Sequence, residues 1–345
     1  MNTEIFKVSD SSPNEEIIRY AAQKIKEGRL VVFPTETVYG LGADATNEKA
    51  VESIFAAKGR PSDNPLIIHI CEPSEAEDYA YTTELYYKLS EAFMPGPLTV
   101  ILKSKDSVPE KTRGGLDTVA VRCPESYVAR MLIKHSNTPI AAPSANLSGS
   151  PSPTNAEHVI NDMMGRVDVI LDGGSCEFGL ESTIVKIEED ETLTLLRPGK
   201  ITIDELAFFA EVNIADAVTA QLKDGERALS PGMKYRHYAP KAPLILVEGD
   251  VDKLADYINK VSQKTAIIAY NEDCEFFKTN TKAAVYPFGD KDDAYFQAHN
   301  LFSILREADV CNYDTIYAPL PKTDGVSLAL YNRMIRAAAH KIIRL

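Results

Sequence analysis

Residues 14–44 read NEEIIRYAAQKIKEGRLVVFPTETVYGLGAD, and the change of hydrophobic period inside this stretch decides the class of fold. Ile17, Ile18, Ala21, Ala22 and Ile25 recur at helical spacing, and Gly28 supplies the stop. RLVVF then forms a short β-branched run that ends at Pro34 and delivers a polar loop, PTETVYGLGAD, directly after a buried strand. Loops at strand ends are where α/β proteins carry their chemistry. Working outward, NEKAVESIFAAK (47–58) predicts a second helix closed by Gly59, followed by the extended stretch PSDNPLIIHI. Further strands are expected at 98–103, 117–122, 138–142, 167–171, 182–187 and 192–197, with helices near 84–93, 125–135 and 155–164. Strands outnumber helices. The expectation is therefore an α/β (α+β-like) N-terminal domain with a large twisted mixed sheet, not a strict βαβ alternation.

The rhythm changes near residue 205. Residues 203–223 read as a loosely helical connector, and DGERALSPGMKYRHYAP (224–240) is polar and punctuated by Pro and Gly. Beyond it, PLILVEG, TAIIAY, AAVYPF and TIYAPLP read as strands, AYFQAHNLFSILREA as a helix and LALYNRMIRAAAHKII as a closing helix. This predicts a catalytic domain over 1–205, an interdomain linker over 206–240 and a smaller Rossmann-like α/β domain over 241–345. The last of these has no GxGxxG or P-loop sequence, so no motif supports nucleotide binding there.

Bulk properties exclude several classes. At 345 residues, 44% hydrophobic and 25% charged, the chain can bury more than one core. No apolar run approaches the roughly 20 residues of a bilayer span, and MNTEIFKVSDSSPNEE lacks signal-peptide character. No membrane association and a cytoplasmic location are expected. A net charge of −13 argues against a broad electropositive face for nucleic acid. The five cysteines are scattered without a CxxC pair, which fits reduced, mostly buried thiols and neither a disulfide framework nor a zinc site. His135, His158, His299 and His340 lack metal-ligand spacing. No protein-built metal site is expected.

Any anion must then be held by short segments. KGRPSDNP (58–65) places Lys58 and Arg60 at a helix C-terminus before an extended loop. Basic residues there also satisfy terminal carbonyls and the helix dipole, and that role alone would explain them. With Ser62 and Asn64 they would equally suit an oligophosphate. TPIAAPSANLSGSPSPT (138–154) is long and rich in small donors, the composition of a phosphate-accepting nest and also of an ordinary surface turn. PTETVYGLGAD offers Thr35, Glu36, Thr37 and Tyr39 to a small polar ligand, or else a turn with a packed tyrosine. MKYRHYAPK (233–241) gathers Lys234, Arg236, His237 and Lys241 with two tyrosines, a candidate strap over a nucleotide. Arg122, Ser182 and Arg197 each fall at a strand end, where they could face one cleft.

The set of motifs is more specific than any member. PTETVYGLG, Lys58-Gly59-Arg60, NPLIIHI, MPGPLT, VAVRCP, Ser144-Ala145-Asn146, ESTIV, RPG and SPGMKYRHYAP occur in this order. Together they closely resemble the L-threonylcarbamoyladenylate synthase family in its long form, densely over about 14–240 and more loosely beyond. The resemblance implies a nucleotidyltransferase that converts L-threonine, bicarbonate or CO2, and ATP into L-threonylcarbamoyl-AMP and pyrophosphate. The product would serve N6-threonylcarbamoyladenosine formation in tRNA, through tRNA-modifying partner enzymes downstream. Carried over by motif position, Lys58 and Arg60 would be catalytic, and Thr37, His69, Arg122, Ala142 and Ser182 would contact threonine. Arg60, Asn64, Thr118, Ser144, Asn146, Ser152 and Arg197 would contact ATP, with Tyr235, Arg236 and His237 of the linker over the cleft. Mg²⁺ is expected on the nucleotide instead of in a protein cage.

That chemistry is consistent with the residues. Adenylation needs phosphate neutralisation and in-line positioning, with no covalent nucleophile. Arg122 suits a bidentate grip on the threonine carboxylate. Two other readings stay open: a nucleic-acid-binding module, against which the acidic charge weighs, and a different carbamoyl- or acyl-adenylate enzyme on the same fold. Direct tRNA binding is left undecided.

Overall fold

Asparagines begin the first two helices. The Asn14 side chain accepts hydrogen bonds from the backbone N–H groups of Glu16 and Ile17, and Asn47 does the same for Lys49 and Ala50. Left-handed glycines end them, Gly28 at φ 74° and Gly59 at φ 61°. The computed structural model describes residues 2–61, 64–220, 237–261 and 263–345. Their contacts divide them into two units, one within Met1–Ser148 and Ser152–Lys234, the other within Gly149–Pro151 and Tyr235–Leu345.

In chain order the first unit contains β1 (Glu4–Lys7), α1 (Glu15–Lys26), β2 (Val31–Phe33), β3 (Gly40–Asp44), α2 (Glu48–Lys58) and β4 (Ile67–His69). It continues with α3 (Glu84–Phe93), β5 (Leu98–Lys103), β6 (Thr118–Arg122), α4 (Tyr127–Ser136), β7 (Ile140–Ala141), α5 (Ala156–Met163), β8 (Val169–Asp172), β9 (Thr183–Ile187), β10 (Leu193–Arg197), α6 (Ile203–Leu206) and β11 (Val212–Ile214). The strands form one mixed sheet of 11 in the order β1-β8-β2-β3-β7-β4-β6-β5-β9-β10-β11. A core beneath it joins Ile18, Ala22 and Ile25 of α1 to Val128, Leu132 and Ile133 of α4 and to Val31, Phe33, Val169 and Leu171 of the strands. Burying these apolar faces is the main driving force for closing the layer.

Two expectations for this unit change. PTETVYGLGAD is not a loop throughout, because Gly40–Asp44 pairs with both β2 and β7. Glycine is disfavoured in strands, but a Cβ on Gly42 would stand 2.7 Å from both Ile140 and Phe33. Close packing of neighbouring side chains overrides propensity there. Within the expected 206–240 connector, Val212–Ile214 pairs in parallel with β10 as the edge strand.

The second unit contains β12 (Leu244–Glu248), α7 (Val251–Lys260), β13 (Thr265–Ala269), α8 (Asn271–Asn280), β14 (Ala284–Pro287), α9 (Ala294–Val310), β15 (Thr315–Pro319), α10 (Ser327–Ala337) and β16 (Ile342–Arg344). All pairings are parallel, in the order β14-β13-β15-β12-β16. Helix α7 contacts α8 and α9 contacts α10, as right-handed crossovers in opposite directions require for a doubly wound sheet. The closing helix is shorter than the sequence pattern predicts. It stops at Ala337, Ala339 and His340 take φ of 49° and 60°, and the β-branched Ile342 and Ile343 pair with β12.

Candidate active site

Three neighbouring strands set the first row of side chains. His69 on β4 is the register partner of Arg122 on β6, and β5 runs antiparallel to β6 with Val100 opposite Val121, which brings Thr99 beside Arg122. Alternation along each strand puts His69, Arg122 and Thr99 on one face. Ser182 lies just before β9, and its hydroxyl is 2.8 Å from the Thr99 hydroxyl. Arg197, at the end of β10, donates through Nε to the Ser182 carbonyl and through Nη2 to its hydroxyl, both at 3.0 Å. The five side chains are buried and line one end of the sheet.

The loop after β2 closes on this row. Arg122 Nη2 donates to Glu36 Oε1 at 2.6 Å and to Thr37 Oγ1 at 2.9 Å, while its Nε reaches the Gly96 carbonyl at 3.4 Å. The Thr37 hydroxyl is also 2.8 Å from that of Thr35. The guanidinium fork expected to grip a carboxylate is thus half engaged by the protein: Nη2 is spent, and among the described residues Nη1 makes no hydrogen bond. Tyr39 is a packed residue, fully buried, with its hydroxyl donated to the Gly174 carbonyl at 2.7 Å.

The KxR and SxN segments meet. Lys58 is buried, and its ammonium donates to the backbone carbonyl of Ser144, to that of Asn146 at 2.7 Å and to the Asn146 side-chain oxygen at 3.4 Å. The Ser144 hydroxyl donates to the same Asn146 oxygen at 2.5 Å. Lys58 thus directs its charge across the fold to the SxN segment. Gly40 forms a bridge with Ser144, so this junction borders the loop that carries Thr37. Ser152, fully buried, donates its hydroxyl to Glu181, the residue before Ser182. Ala142 holds the edge of the row through its N–H on the Ile67 carbonyl at 3.0 Å. Arg60 is buried just past the left-handed Gly59.

Asn64 and Thr118 stand elsewhere. Thr118 shares its face with Arg122 but begins the strand that Arg122 ends, about 13 Å away at the usual rise per residue. Asn64 lies on the chain just before β4, and a Cβ on Gly114 would come within 3.0 Å of its backbone. It is fully buried, yet neither its amide nitrogen nor its amide oxygen has a partner among the described residues. A buried amide left unpaired is costly unless something else completes it. Tyr235 and Arg236 lie outside the described residues. His237 belongs to the second unit, where its ring centroid is 5.6 Å from that of Tyr238, which stacks on Phe302.

The electrostatics of the row are distinctive. Burial, and next to it the positive charge of Arg122, push the His69 imidazole down to about 3. It is neutral at physiological pH, and its Nδ1 lies 3.3 Å from the Ile140 carbonyl. Among the described residues no group of three or more His, Cys, Asp or Glu is placed to hold a metal. The cysteines are all free, four of them buried and Cys311 exposed. Residue chemistry missed Glu36 as a partner of Arg122, and it missed Thr99 and Glu181 entirely. All three lie inside motifs singled out above, but nothing in a strand-end glutamate or threonine says which cation or hydroxyl it will meet.

Fold and side-chain rows define a class: an α/β protein whose mixed sheet carries a buried row of arginine, neutral histidine and hydroxyl groups at one end. Residues 23–199 match the family described as "Telomere recombination", and 201–339 match "Threonylcarbamoyl-AMP synthase, C-terminal domain". The chain is 44% identical to the threonylcarbamoyl-AMP synthase of Pyrococcus abyssi, with 95% of each protein covered, and 42% identical to that of Bacillus subtilis, with 96% of each covered. A crystal structure of P. abyssi Sua5 complexed with L-threonine superposes with a TM-score of 0.89 at 41% identity, covering 100% of both chains. This chain belongs to the threonylcarbamoyl-AMP synthase family, in the long form that carries the C-terminal domain.

Proposed function

We propose that the chain condenses L-threonine, bicarbonate or CO2, and ATP into L-threonylcarbamoyl-AMP and pyrophosphate for tRNA modification. The observation that carries this reading is the open Nη1 edge of Arg122, held in a buried row beside neutral His69, Thr37 and Ser182. That row suits an amino-acid carboxylate together with a small polar body. It is also the kind of pocket in which a threonine hydroxyl, once hydrogen-bonded, discriminates against valine, because the isostere would leave buried groups unpaired.

Asn64, whose amide has no partner among the described residues, and Thr118 lie at the far end of the same strands and would take the nucleotide. Ser144, Asn146, Ser152, Arg60 and Arg197 would line its path towards the amino acid. In the reaction the threonine amine attacks CO2 and loses a proton to solvent to give the carbamate, and a carbamate oxygen then displaces pyrophosphate from the α-phosphorus. Arg60 and the Lys58 charge would stabilise the negative charge that develops. Lys58 acts through the carbonyls it holds, so it shapes the Ser144–Asn146 segment as well as supplying charge. Glu36 and Glu181 are already engaged by Arg122 and Ser152, so Mg²⁺ would arrive on the triphosphate and neutralise it there.

The test is pyrophosphate release with each substrate omitted in turn. Release that requires threonine, bicarbonate and ATP together is the expected result, and a rate indifferent to threonine would reject the assignment. RNA binding with a steep salt slope and no threonine-dependent turnover would favour the nucleic-acid reading instead.

A further inference from the structure

We infer that Glu36 is a positioning residue that fixes the guanidinium of Arg122 for amino-acid recognition, an assignment that rests on the reaction proposed above. Both side chains are 5% exposed. The two carboxylate oxygens of Glu36 are engaged separately, Oε1 accepting from Arg122 Nη2 at 2.6 Å and Oε2 from the Glu125 backbone N–H at 3.1 Å. The backbone on either side is pinned too, since Phe178 N–H donates to the Glu36 carbonyl at 2.9 Å and Gly179 N–H to that of Thr37 at 3.1 Å. Glu36 is therefore fixed at its backbone and at both oxygens before any ligand arrives.

The consequence falls on Arg122. Its Nη2 hydrogens go to Glu36 and Thr37, and Nε to Gly96, so one edge of the planar group is locked. Among the described residues' contacts only the two hydrogens of Nη1 remain for a carboxylate, which must bind end-on instead of across the Nη1–Nη2 fork. A preset donor direction raises affinity by removing the ordering step from binding. The role requires a carboxylate in particular. An amide has one acceptor, so glutamine would turn an NH2 group towards either Arg122 or the Glu125 N–H, opposing donor to donor.

The experiment compares wild type, Glu36→Gln and Glu36→Asp as full-length chains, reading KM for threonine and for ATP, kcat, and binding of L-threonine against L-threoninamide by calorimetry. Glu36→Gln should raise the threonine KM by tenfold or more while kcat and the ATP KM stay within twofold. It should also narrow the preference for threonine over threoninamide, which has no carboxylate to grip; Glu36→Asp, which keeps the charge, should recover part of both. A threonine KM within twofold of wild type in Glu36→Gln would overturn the assignment, as would a parallel rise in both KM values with unchanged selectivity for the carboxylate. Should Glu36→Gln fail to fold, the same readouts on Glu36→Asp decide. If wild type itself shows no threonine-dependent turnover, the reaction proposed above fails, not the geometry of the pair.

Discussion

The buried ammonium of Lys58 is bound to the backbone carbonyls of Ser144 and Asn146, residues 86 and 88 positions further along the chain. An exposed catalytic lysine could be removed without loss of fold, but this one ties α2 to the SxN segment. Hydrogen bonds to a charged group are worth about 1.5–3 kcal/mol each, and carbonyls left unpaired add their own penalty. Lys58→Met, which keeps most of the apolar stem, should therefore lower turnover and also lower Tm, by about 5–10 °C if about 2–3 kcal/mol is lost. Parallel kinetics and calorimetry check this. Full turnover in a variant with lowered Tm would reduce Lys58 to a structural tie.

That pairing shows how far the sequence could be read. Lys58, Ser144 and Asn146 were visible as two polar segments, one at the end of a helix and one after a strand, because the composition of such segments is a local signal. Their union was not, since it depends on antiparallel β3, β7 and β4 lying side by side between them. The β3 strand itself was hidden by Gly40 and Gly42, which read as loop residues until the packing of Phe33, Ile140 and Ala142 around them is known. Periodicity gave α1, α2 and most central strands to within two residues, because their faces are uniformly buried. It overran at the C-terminus, where two left-handed residues turn an amphipathic pattern into β16. For the candidate site, residue types drew attention to the cations, but Arg122 needed the partner geometry to show that half its fork is taken.

Removing Arg122 alone strands an anion. Arg122→Met would leave the buried Glu36 carboxylate without its cation, and breaking one partner of such a pair typically loses about 3–5 kcal/mol. Adding Glu36→Gln to Arg122→Met should restore a good part of that stability without restoring threonine-dependent turnover. A double-mutant cycle by chemical denaturation measures the coupling. Additive losses would mean the two groups act independently despite their 2.6 Å contact.

Gly199 in the RPG motif is required by proximity alone. A Cβ there would stand 2.4 Å from the Thr183 backbone nitrogen and 2.8 Å from the Ser182 carbonyl carbon, atoms that cannot yield without moving the strand. Overpacking of this kind costs about 1–3 kcal/mol or more. Gly199→Ala should lower Tm and, by displacing Ser182 and the Arg197 that is bonded to it, raise the threonine KM at least severalfold. A well-folded variant with unchanged KM would show that Ser182 is not part of the amino-acid pocket.

His69 should give the protein an acid-side weakness. Its folded-state value, about 3, lies below the ordinary 6.5 because burial and Arg122 disfavour the imidazolium. Between those two values the unfolded chain takes up a proton that the native state refuses, so stability is complete above about pH 6.5 and falls as the pH drops towards 3. Calorimetric scans at pH 7 and pH 5 should show a Tm decline in wild type that is smaller in His69→Gln, which has no proton to take up. The same depressed value predicts that threonine binding by wild type shows no histidine inflection between pH 5 and 8 attributable to this residue. An inflection near 6.5 that disappears in His69→Gln would place an imidazolium in the row, and with it a charge that the burial beside Arg122 opposes.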